Sequence, residues 1–97
     1  MFEHIGILTL TPDTTDTDRR AIGSALEGLV GEVPGLEEAV VVYDAGLREG
    51  NADLLFRMRF DSRASWEGYG AHPAHLAVVH DHIAPRVAAK TFLQIEG

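Results

Sequence analysis

Apolar residues recur along this chain with two periods, two and about 3.6, and the switches between them mark the predicted elements. His4–Leu10 reads as a strand, and Ile7, Leu8 and Leu10 place apolar side chains on both of its faces. Such a strand is expected to be covered on both sides. Thr11-Pro12-Asp13 ends it. Thr15 or Asp16 can cap a helix beginning near Thr17, and Asp18 stands at capping-box spacing from Thr15. Ala21, Ile22, Leu26, Leu29 and Val30 share one side of that helix, with Arg19, Arg20 and Glu27 opposite. Gly31 is read as its stop, and Val33-Pro34-Gly35 as a turn.

Glu38–Tyr43 is the second predicted strand, rich in β-branched valines. A polar, glycine-bearing loop from Asp44 to Asn51 follows. Leu54–Phe60 is the third strand: Leu54, Phe56, Met58 and Phe60 share one face, and Leu55, Arg57 and Arg59 the other. The two arginines read as a solvated strand face. Asp61 or Ser62 caps a short helix carrying Trp66 and Tyr69, with Gly70 as its end. His72-Pro73 opens another helix, striped by Leu76, Val79, Ile83 and Val87 and stopped or kinked near Pro85. Thr91–Ile95 closes the chain as a fourth strand.

The order is β-α-β-β-α-β with the second helical unit split, an α+β, ferredoxin-like plan in a single domain over residues 1–97. Two helical units cover only one face of four strands. The other face would expose an apolar patch, which a second copy of the chain can bury. A homodimer of facing sheets, a dimeric α+β barrel, is therefore expected, and 97 residues make a small core that gains from such burial.

Composition narrows the function classes. The net charge is −7, which disfavours nucleic-acid and anionic-membrane partners. With no cysteine there is neither a disulfide nor a thiolate metal site. No basic-then-apolar leader or membrane-length run is present, so a cytoplasmic location is the expectation. No glycine-rich phosphate loop, nucleophile elbow or zinc signature occurs.

One segment is distinctive. Tyr69-Gly70-Ala71-His72-Pro73-Ala74-His75 resembles the Y-x-x-H-P-x-H signature of the Dabb, or stress-responsive dimeric A/B barrel, family. Phe2-Glu3-His4-Ile5 resembles the family's first strand, and Val33-Pro34-Gly35-Leu36 its turn before the second strand. The resemblance implies dimers of ferredoxin-like subunits. It leaves function open, because the family includes plant stress proteins as well as polyketide cyclases of the olivetolic acid cyclase kind. In the cyclase a tyrosine and a histidine at the first and last signature positions act on the substrate, and these match Tyr69 and His75. His4 matches the family's N-terminal histidine, Leu54 stands where the cyclase has a further histidine, and Trp66 where an aliphatic residue is usual.

On this reading His75 and Tyr69 are the candidate catalytic pair, and His4, His72, Trp66 and Phe56 the candidate substrate-binding residues, with no metal and no cofactor. A histidine suits proton abstraction between two carbonyls, and a phenol can donate to the enolate or alkoxide formed. The substrate would be an apolar or polyketide-like small molecule held in the barrel cavity. Whether the chain is an enzyme stays open at this point. A non-catalytic stress-responsive or small-ligand-binding barrel, and a cofactor-free monooxygenase, fit the same fold. His72, His75, His80 and His82 are close in sequence, but no single helix face gathers three of them.

Overall fold

A four-stranded antiparallel sheet runs in the order β2 (Leu36–Tyr43), β3 (Leu54–Phe60), β1 (Phe2–Leu10), β4 (Val87–Glu96), so β1 is a central strand. The computed structural model describes residues 1–97. The α-helices are α1 (Asp16–Glu27), α2 (Arg63–Ala71) and α3 (Pro73–Val78). A π-helical turn, Val79–Ile83, joins α3 to the segment before β4. This is the expected ferredoxin-like subunit, with the helices on one face of the sheet.

The predicted capping box forms in full. The Thr15 hydroxyl accepts from the Asp18 N–H at 3.1 Å, and the Asp18 carboxylate accepts from the Thr15 N–H at 3.0 Å. Several boundaries differ from the sequence reading. α1 ends at Glu27 rather than at Gly31, because beyond the cap at Gly28 the amides of Leu29 and Val30 return to carbonyls only three residues back, those of Leu26 and Glu27. Leu29 is still buried from outside the helix, whereas Val30 is exposed. β4 begins before Thr91, since β1 supplies a partner along nearly its full length, from Phe2↔Glu96 to Leu10↔Val87. α2 runs through Gly70 to Ala71, and the break comes at His72, held extended before Pro73.

Burial along the central strands follows a period of two. Phe2, His4, Leu8 and Leu10 of β1 and Leu54, Phe56, Met58 and Phe60 of β3 face the helices and are buried. Ile22 and Leu26 of α1, Tyr69 of α2 and Val78 of α3 close over them. Full burial of each large apolar side chain contributes roughly 1.5–3 kcal/mol, so the core rests on this shared face. Gly6 lies in the same row, paired with Phe56 on one side and Phe92 on the other. A Cβ at Gly6 would overlap the Phe56 ring, so the missing side chain lets two aromatic rings lie over the middle of β1.

The opposite sheet face has no helical cover. Ile7, Val40, Val42, Leu93 and Ile95 are 37–58% exposed there. Arg57 on this face is exposed, as expected. Arg59 is half-buried, with its guanidinium 4.0 Å from the Glu37 carboxylate and its Nε enclosed without a partner.

Two outcomes follow. Sedimentation at micromolar concentration is expected to give a dimer, and Leu93→Glu to shift it towards monomer by placing a charge on the open face. Gly6→Ala is expected to destabilise the fold by about 1–3 kcal/mol, measured by urea denaturation, because Phe56 must leave its rotamer.

Candidate functional site

The helix-facing row of the sheet carries the polar group that the core has to accommodate, His4. Its neighbours are aromatic: ring centroids lie 5.3 Å away at Phe56, 5.6 Å at Phe92, 5.9 Å at Tyr69 and 5.9 Å at Trp66. β3 supplies Phe56 and β4 supplies Phe92, both meeting β1 at Gly6. Trp66 and Tyr69 come down from α2. Trp66 also stacks on Phe2, with centroids 5.0 Å apart.

His75 reaches this group because the chain turns at His72-Pro73. The His72 ring accepts the Ala74 N–H at Nδ1, 3.1 Å away, and so caps α3. Pro73 follows at a position where a missing N–H removes no helical bond. The turn lays the His75 imidazole against the Tyr69 phenol, with centroids 4.0 Å apart and planes inclined by 34°. The contact is ring to ring, and the Tyr69 hydroxyl makes no hydrogen bond within the chain.

These side chains border two adjacent hollows, a wide and a narrow lobe, that share His4, Tyr69, His75 and Lys90 in their walls. The wide lobe, about 600 Å³, is lined by His4, Trp66, Tyr69, His75, Lys90 and Phe92 among others. A narrow inner lobe of about 90 Å³ runs on past Phe56 to Leu8 and Leu26. The wide lobe has the capacity expected of a small-molecule site. It lies between the sheet and the helices of one subunit. This corrects the expectation of a cavity in the barrel between paired sheets: His4 and Phe56 project from the strand positions that face the helices, away from the uncovered face.

Hydrogen bonding fixes the two imidazoles in opposite senses. His75 Nδ1 lies 3.3 Å from the Gly70 carbonyl oxygen. A carbonyl only accepts, so Nδ1 carries the proton and Nε2 keeps its lone pair. His4 Nδ1 faces the Gln94 amide nitrogen at 3.0 Å, so it accepts there and its proton sits on Nε2. Burial, reinforced by the nearby His75, pushes the His4 pKa down to about 4. Burial also lowers that of His75, while the Gly70 and Tyr69 carbonyls oppose the change. Burial raises that of Tyr69 far above the usual phenol value. At neutral pH the site therefore holds two neutral imidazoles and a protonated phenol.

The structure brings together His4, Phe56, Trp66, Tyr69 and His75. It sets His72 apart: that ring caps α3 and borders a shallow depression near Val33 and Pro34, outside both lobes. No group of three or more His, Asp or Glu side chains is arranged to hold a metal ion. Sequence reasoning missed Lys90 and Gln94. Both share the helix-facing side of β4 with Phe92, and the alternation Lys90-x-Phe92-x-Gln94 was the available signal.

The sequence matches the profile of the Stress Responsive A/B Barrel Domain family, Dabb, over residues 2–94. Among solved structures, a dimeric ferredoxin-like protein of unknown function from Thermobifida fusca is 26% identical at a TM-score of 0.84, covering 99% of this chain and 90% of that one. A Dabb family protein with a ferredoxin-like fold from Mesorhizobium loti is 18% identical at a TM-score of 0.80, covering 99% and 95%. A hydroxynitrile lyase from Passiflora edulis is 16% identical at a TM-score of 0.82, covering 97% and 90%, and at that identity shares the fold alone. No curated protein matches by sequence.

The His4 environment gives a pH-dependent stability. The unfolded imidazole takes up its proton near pH 6.5 and the folded one only near 4. Stability is therefore complete above 6.5 and lost as pH falls towards 4, by about 3 kcal/mol for a shift of this size. Urea midpoints measured across that window are expected to fall in the parent. The fall should be much shallower in His4→Phe, which retains contributions of the same sign from His75 and, at the acid end, from Asp13 and Asp18.

Proposed function

This chain belongs to the stress responsive A/B barrel domain family, and from that premise we propose that it is a cofactor-independent acid/base enzyme, a polyketide cyclase closing a linear substrate by intramolecular aldol condensation. The observation that carries the proposal is the pairing of His75 and Tyr69 at a cavity of about 600 Å³. In the reaction, His75 Nε2 takes a proton from the carbon between two carbonyls, and the C–H electrons pass into an enolate. The Tyr69 hydroxyl, kept protonated by burial, donates to the enolate oxygen. His4 Nε2–H is a second donor at the same wall. The enolate carbon attacks a carbonyl further along the chain, forming the C–C bond, and the resulting alkoxide recovers the proton from His75. The aromatic wall of Phe56, Phe92 and Trp66 offers flat apolar surface that favours the folded, flat conformer of the chain.

A depressed His75 pKa keeps the base unprotonated at neutral pH. A second reading, a non-catalytic stress-responsive or small-ligand-binding barrel, is favoured by the ring-to-ring rather than hydrogen-bonded contact of Tyr69 with His75. In that case the same cavity would hold a ligand without turning it over.

Cyclisation of a linear β-polyketide acid, followed by ultraviolet absorbance of the ring product, separates the two. His75→Ala is expected to lower kcat by about 10²–10⁴-fold with a smaller effect on KM. Tyr69→Phe should lower kcat while leaving the acid limb of the pH profile in place, below the ordinary imidazole value. Unchanged turnover in His75→Ala would falsify the proposal.

A further inference from the structure

Lys90 is the only lysine in the chain, and it stands on the helix-facing side of β4 opposite Leu8. It borders both lobes of the cavity. Its Nζ lies 5.9 Å from the centroid of the Phe92 ring. No carboxylate comes within ion-pairing distance of it, although the protein carries 15 acidic residues. Five of the seven arginines, by contrast, are ion-paired: Arg19, Arg20, Arg59, Arg63 and Arg86.

The other charges near the cavity are already offset or distant. Glu67 lines the wide lobe, but its carboxylate pairs with Arg63 at 3.4 Å. His4 and His75 are held neutral by burial. The amide of Gln94 is engaged with His4. Lys90 is thus the one charged side chain at this pocket without an ion-pair partner, its ammonium set over the Phe92 ring.

We propose that Lys90 is the anchor for the anionic end of the ligand, so that this cavity takes organic acids: a carboxylate joined to an aromatic or acyl body. The carboxylate pairs with Lys90 where the strand edge meets solvent, and the apolar body lies along Phe92 and the Tyr69–His75 pair. The inner lobe, lined mostly by apolar side chains, receives a short alkyl end. This inference names the substrate class for the site proposed above and rests on that reading for its link to catalysis. As a statement about binding it stands by itself. For the aldol reaction it makes Lys90 a specificity-determining residue, which selects a free acid over its amide.

The test uses para-butylbenzoate and its neutral isostere para-butylbenzamide, titrated calorimetrically into the full-length protein at low salt. The parent is expected to bind the benzoate about tenfold more tightly than the amide. Lys90→Met should abolish that preference while keeping the amide affinity, Lys90→Arg should retain part of it, and added salt should weaken it. Lys90 is exposed on an edge strand, so these variants should fold, and circular dichroism and thermal midpoints check that they do. Equal affinity for the two probes in the parent, no binding of either, or an unaltered preference in Lys90→Met overturns the proposal. The preference should also survive in His75→Gln. Its loss there, with Lys90 intact, would move the anion to the imidazole and equally overturn the assignment. Loss of the cyclase reaction with the benzoate preference intact would remove the catalytic reading alone.

Discussion

The parity of β1 is the constraint on which the rest of the molecule depends. A strand sends alternate side chains to opposite faces, so one register fixes both the core and the open face together. With β3 and β4 paired as they are, Phe2, His4, Gly6, Leu8 and Leu10 face the helices, and Ile5 and Ile7 face away. A slip of one residue would put His4 on the open face and the two isoleucines among the helices. Both flanking strands would also lose the glycine over which Phe56 and Phe92 lie. The site and the surface suited to a second copy are thus two consequences of a single pairing.

The second determinant is the interruption between α2 and α3. In an unbroken helix, residues six apart lie about 120° away from facing the same way and cannot bring their rings together. The extended conformation at His72, set by the following proline, redirects the chain so that His75 returns onto Tyr69. His72 therefore belongs to the site's construction: its ring satisfies the Ala74 amide and leaves the chemistry to its neighbours. The π-helical turn after α3 has a related effect further on, since Val79 and Ile83 both border the inner lobe.

Local signals in the chain read well where the physics is local. The capping box at Thr15, the limits of β3 and the Pro73 helix start each depend on a few neighbouring residues, and each is visible in the sequence. The end of α1 is also local, but it falls at Gly28, three residues before Gly31. The start of β4 depends on what lies across the fold, since β4 extends because β1 offers it partners. The same distinction governs the site. The Tyr69-to-His75 segment is contiguous and could be found by inspection, and His4 and Phe56 by their resemblance and strand parity. Lys90 and Gln94 enter only through strand pairing at a separation of about ninety residues from His4, as the His4–Gln94 bond illustrates. The side of the sheet that holds the cavity was misread for a similar reason. Apolar residues on both faces identify two buried surfaces without saying which retains a void.

The electrostatics of the cavity follow from its lining. In a protein of net charge −7, long-range forces would admit cations, yet the local balance at this pocket runs the other way. Charging either imidazole in an aromatic enclosure costs desolvation and then repulsion from the other. The cavity therefore favours a neutral base with a weak proton affinity, and its one lysine, Lys90, stands exposed on the edge strand, outside the burial that sets that balance.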